Sequence, residues 1–145
     1  MNARTKLALT LFSTIILTSC DYYNDTRVCN QTGQDITLII RFDTDGIKNG
    51  GLEPRKFTKT FHNWRENLTP IHFDTINFIS TYLINRDSCG QIEGGPNRRP
   101  NFRFIKAMTV VTKSDTIELK TKGEMRKAFG ADREEPEYYF DLLIK

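Results

Sequence analysis

Apolar and polar residues alternate with a period of two over much of the chain. Ile36, Leu38, Ile40 and Phe42 fall on one side and Thr37, Ile39 and Arg41 on the other, the pattern of a strand with one buried face. Residues 56–62 read the same way, with Phe57 and Phe61 opposite Lys56, Thr58 and Thr60. Between His72 and Ile84, one face carries Ile76, Phe78, Tyr82 and Ile84 and the other carries Ile79 and Leu83. Apolar residues on both sides predict an interior strand. Strands at 102–112 and 116–121 flank Lys113-Ser114-Asp115, which fits a hairpin turn. A short strand over 27–30 precedes these, and an alternating run from Tyr138 to Ile144 closes the chain.

Turn-forming residues punctuate the strands. Gln31-Thr32-Gly33-Gln34 reads as a turn, and residues 43–51, with three glycines, as a loop. Residues 64–70 form a connector, 89–100 a long loop rich in Gly and Pro, and 132–136 an acidic loop. Met125 and Phe129, four apart between Gly123 and Gly130, predict one short helix. Roughly seven strands and at most one or two short helices predict an all-β antiparallel β-sandwich. An immunoglobulin-like version stays open, because Cys29, Trp64 and Cys89 only loosely echo that fold's Cys-Trp-Cys arrangement.

The N-terminus has a different pattern. Arg4 and Lys6 precede an apolar run of eleven residues from Leu7 to Leu17, and no acidic residue occurs before Cys20. As a helix the run would rise about 16 Å, against a hydrocarbon core of roughly 30 Å. It is too short for a stable span and suits the apolar core of an export signal. Leu17-Thr18-Ser19-Cys20 follows it and resembles the lipobox of bacterial lipoproteins. The resemblance implies cleavage before Cys20, acylation of Cys20 and a membrane anchor. It divides the chain into a signal peptide (1–19), a tether (20–26) and one folded domain (27–145). The anchor is expected in the inner or outer membrane of the cell envelope, with the domain periplasmic or surface-exposed.

The anchor changes the meaning of the charge. Arg4 and Lys6 account for two of the 21 basic residues, leaving 19 against 18 acidic ones in the mature chain. Nothing there favours nucleic acid. It also changes the cysteine count: with Cys20 acylated, Cys29 and Cys89 remain as a pair in an oxidising compartment, which predicts a disulfide between them.

Catalytic signatures are lacking. There is no nucleophile elbow, zinc-protease motif or phosphate loop. Asp43-x-Asp45-Gly46 lacks the remaining ligands of a calcium loop and reads as a turn. His62, His72 and Asp74 read as surface residues at strand edges rather than an acid–base pair. Neither a metal nor a cofactor is expected. The segment Asn97 to Phe104 interleaves Arg98, Arg99 and Arg103 with Phe102 and Phe104. Its plain reading is a polar loop entering a strand, and its functional reading is a cationic face for an anionic sugar, lipid headgroup or partner protein. Asp74-Thr75-Ile76 and Asp115-Thr116-Ile117 resemble the O-glycosylation signal of one large phylum of Gram-negative bacteria. Thr116, beside a turn, is the better placed, because Thr75 falls within the expected interior strand. The leading expectation is a non-enzymatic binding or assembly module with an envelope protein or glycan as partner. The rivals are a small lipoprotein inhibitor using a protruding loop at 90–100, and an enzyme with a dispersed site.

Overall fold

In the computed structural model, residues 23–96, 98–133 and 138–145 are described. The lipobox and Cys20 lie outside the described residues. The strands are β1 (Tyr23–Asn30), β2 (Ile36–Phe42), β3 (Thr69–Asp74), β4 (Ile79–Ile84), β5 (Cys89–Pro96), β6 (Ile105–Val111), β7 (Thr116–Leu119) and β8 (Tyr139–Ile144). Three short helices join them: α1 (Thr44–Asn49), α2 (Pro54–Asn63) and α3 (Lys122–Ala128). The strands form a three-stranded sheet of order β5-β1-β8 and a five-stranded sheet of order β3-β4-β2-β6-β7. The pairings are antiparallel except β1 with β8, which run parallel.

The expected β-sandwich architecture is present. Ile36, Leu38, Ile40 and Phe42 of β2 are all buried, as the alternation requires, and they share one core with Tyr82, Met108 and Val110 of the same sheet and Val28, Ile92, Phe140 and Ile144 of the other. The 116–119 hairpin partner, the α3 helix and the closing strand also form where the pattern placed them. Thr121 caps α3 from its side chain and Glu124 answers the Thr121 backbone, a reciprocal pair that satisfies two otherwise unpaired donors.

Several segments differ, each for a local reason. Residues 56–62 are helical: Phe57 and Phe61 are four apart, a spacing that satisfies a strand face and a helix face equally. Pro54 stands in the first turn and the Glu53 carboxylate accepts from the N–H groups of Arg55 and Lys56, so the N-terminus is capped for helix. Asp43 likewise caps α1 by accepting from Gly46 N at 2.9 Å, where a loop was expected. The run 72–84 is two strands. Asp74 Oδ1 accepts from the N–H groups of Ile76 and Asn77, both at 2.9 Å, and this local turn competes successfully with continued extension. β4 is nonetheless interior, lying between β3 and β2.

The glycine-rich segment 89–96 is strand β5 rather than loop. A Cβ on Gly90 would stand 2.1 Å from Leu68 Cδ2, so this glycine serves close packing within a strand. β1 begins at Tyr23 and takes in residues assigned above to the tether, with Asn24 and Thr26 buried. Cys29 and Cys89 are directly opposed in the β1–β5 register, and their sulfurs are 2.11 Å apart, forming the expected disulfide. It joins neighbouring strands of one sheet, and Trp64 is 82% exposed. The inter-sheet disulfide packed on tryptophan that marks immunoglobulin domains is therefore not the arrangement here.

Candidate anion-binding cleft

The segment after β5 folds back across the end of the small sheet. Its anchor is Phe102, fully buried with its ring centroid 5.2 Å from that of Phe129. Phe102 holds φ at +52°, a left-handed conformation costly for a bulky side chain and maintained only where surroundings over-determine it. Those surroundings are identifiable. Glu93 Oε2 accepts from Asn101 N at 3.3 Å and Phe102 N at 3.2 Å. Asn101 Oδ1 accepts from Arg103 N at 2.8 Å, Arg126 Nη1 donates to Pro100 O at 3.1 Å, and Lys122 Nζ donates to Arg103 O at 3.1 Å.

Glu93 reaches this position because β1 and β5 slip register. Thr26 pairs with Glu93 and Arg27 with Gln91, so Ile92 is the extra residue of a β-bulge. Ile92 is buried and Glu93 half-buried, and the bulge thus re-aims a carboxylate toward the loop. Burial pushes the Glu93 carboxyl up, against the backbone donors of Phe102 and Asn101 and the guanidinium groups of Arg65 and Arg98. Arg65, itself lowered by burial, lies 3.9 Å above the Phe61 ring. Burial also pushes the Tyr82 hydroxyl, close to Arg65, up to about 12.

Between the loop and the sheet is a cleft of about 270 Å³. β1 contributes Thr26, β5 contributes Glu93 and Gly94, and the loop contributes Arg98, Arg99, Pro100, Asn101, Arg103 and Phe104. All three arginines are exposed. Arg99 Nη1 lies 3.5 Å from Ala131 O, and Arg103 Nη2 donates to Asn49 O at 3.3 Å, a neutral carbonyl partner. The aliphatic stem of Arg98 lies over Gly95, where a Cβ would meet its Cδ at 3.4 Å. Two nearby cations are balanced by acids: Lys122 by Asp43 at 2.7 Å, and Arg126 by Asp132. A wider groove of about 540 Å³ beside α1 carries both signs of charge, from Arg41, Lys106 and Asp45, and favours neither.

Thus the structure brings together the three arginines singled out from sequence, with Arg98 and Arg99 in the loop as read and Arg103 on a turn rather than in a strand. Phe102 and Phe104 point inward and Arg103 outward, as that reading required. It missed Glu93 and Thr26, which fell in segments read as loop and tether. Gly46 was also unread: a Cβ there would lie 2.5 Å from Arg103 O, so α1 packs directly beneath the loop.

Other candidates fall elsewhere. Thr75 is exposed in the β3–β4 turn, not within an interior strand, and Thr116 is exposed at the start of β7. The preference between them therefore loses its basis. His62 stacks on Phe73 at 5.2 Å and its pKa is lowered by burial and by His72, while Asp74 serves its turn. Asp43 is a helix cap paired with Lys122, not the start of a calcium loop. Among the described residues, no group of three or more His, Cys, Asp or Glu side chains is placed to hold a metal. No family model, curated protein or solved structure matches the chain.

Proposed function

We propose that this chain is a lipid-anchored, non-catalytic binding module of the bacterial cell envelope whose arginine cleft receives a negatively charged group on an envelope glycan or protein. The observation that carries the reading is charge balance in the cleft. Among the described residues the lining holds one acid, Glu93, against Arg98, Arg99 and Arg103, and Arg103 meets a carbonyl and, at 5.4 Å, the Phe104 ring. Guanidinium groups presented on a pinned loop lose little freedom when an anion binds, which favours affinity.

The envelope address rests on Leu17-Thr18-Ser19-Cys20 behind an apolar run too short to span. An oxidising compartment outside the cytoplasm suits the Cys29–Cys89 bond. An inhibitor working through a protruding 90–100 loop has less to rest on, since residues up to Pro96 are paired in β5.

Two measurements test this. Replacing Cys20 by Ser should leave an uncleaved, unacylated precursor in membranes, and mass spectrometry finding native Cys20 without lipid refutes the anchor. The full-length protein in neutral detergent should bind short polyanions with affinity that falls steeply as salt is raised. A double Arg98→Ala, Arg103→Ala variant that binds them as tightly as the parent refutes the cleft.

A further inference from the structure

We infer that the ligand of this cleft is an acidic saccharide, a sugar carrying a carboxylate, rather than a bare inorganic anion; this deepens the anion-binding reading and rests on it. Size is the first argument. A water occupies about 30 Å³ in the liquid, so a cleft of about 270 Å³ far exceeds a four-oxygen anion and approaches the range of small organic ligands.

Chemistry is the second. Glu93 lines the same cleft as Arg98 and Arg103, so an acceptor for hydroxyl groups stands beside donors for a carboxylate. Its Oε2 is occupied by two backbone donors, and the carboxylate keeps lone pairs on Oε1 for hydroxyl donors. Sugar hydroxyls supply such donors, and the Thr26 hydroxyl and the Asn101 amide, both on the wall, can take the complementary roles. The sugar carboxylate matches the planar fork of an arginine, where two parallel N–H donors meet two oxygens. Pro100 and the half-buried Phe104 offer apolar wall to the C–H face of a ring.

The test is calorimetric titration of the full-length protein in neutral detergent with four probes: trigalacturonate, maltotriose, inorganic phosphate and triglutamate. The expected result is trigalacturonate binding at least about tenfold tighter than each of the others. Arg98→Ala with Arg103→Ala should remove that binding. Glu93→Gln should weaken the saccharide and leave phosphate unchanged or stronger. Because Glu93 also holds the loop, Thr26→Val provides a second variant, expected to weaken the saccharide alone at an unchanged melting temperature. Phosphate or triglutamate binding within about threefold of trigalacturonate, in an arginine-dependent way, overturns the saccharide inference and leaves the anion cleft standing. Arginine-independent binding, or no binding by any anion, overturns both.

Discussion

Arg27 and the cleft arginines show one side chain in two employments. On the outer face of the small sheet, Arg27 forms a bidentate pair with Asp141, with contacts of 2.9 and 2.8 Å, and its guanidinium lies 3.7 Å over the Tyr139 ring. Its charge is neutralised, its planar faces are used, and the pair couples β1 to β8. One position away, across the β1–β5 register slip, the Glu93 carboxylate feels the charges of Arg65 and Arg98, and Arg103 rests on a carbonyl and an aromatic ring. Backbone carbonyls orient a guanidinium without cancelling its charge. An arginine matched by its own carboxylate is therefore part of the scaffold, whereas one held by neutral groups keeps its attraction for an outside anion.

The largest effect should come from the scaffold side. Replacing Cys29 and Cys89 together by Ser releases a crosslink separated by 60 positions, worth about 4 kcal/mol in the chain-entropy model. A marked drop in melting temperature is expected, matched by the reduced parent protein. Equal melting of oxidised and reduced forms counts against a structural disulfide.

Arg27→Ala comes next, with a cost of about 1–2 kcal/mol for a half-buried bidentate pair and its ring contact. Chemical denaturation measures that loss. Polyanion affinity should stay as in the parent, and a fall comparable to that of the cleft variants breaks the distinction between the two employments.

Asp43 ties the cleft to α1. The Lys122 ammonium and then Gly46 N–H hold its carboxyl below the usual aspartate range. A depressed pKa contributes stability above the unfolded value and loses it as pH falls through the folded one. Asp43→Ala should therefore cost about 1 kcal/mol at neutral pH, with the gap to the parent closing in acid. A gap that stays constant to low pH contradicts the ionic cap.

Arg98→Ala should have the smallest effect on folding, within about 0.5 kcal/mol, while weakening anion binding clearly. Destabilisation as large as that of Arg27→Ala would place Arg98 in the scaffold and dissolve the comparison.

Local pattern determined much of this molecule. The alternation in β2 and β8, the β6–β7 hairpin, the short α3 helix, the two-sheet architecture and the Cys29–Cys89 pair were all legible, because each depends on near neighbours in sequence or on parity. The arginine run was legible as chemistry. Three kinds of information were not. Phe57 and Phe61, four apart, fit two periods, and the Glu53–Pro54 cap at the start of α2 was the signal that distinguished them. Gly90 was indistinguishable from a loop glycine until Leu68, 22 positions away in the chain, was seen to occupy the space of its Cβ. Glu93 gained its place only through a register slip against Thr26. A strand's bulge and the residue it re-aims are decided by its partner strand, and that partner is chosen by the packing of the whole core. The sequence thus supplied the charges of the cleft, and only the tertiary structure decided which of them would meet there.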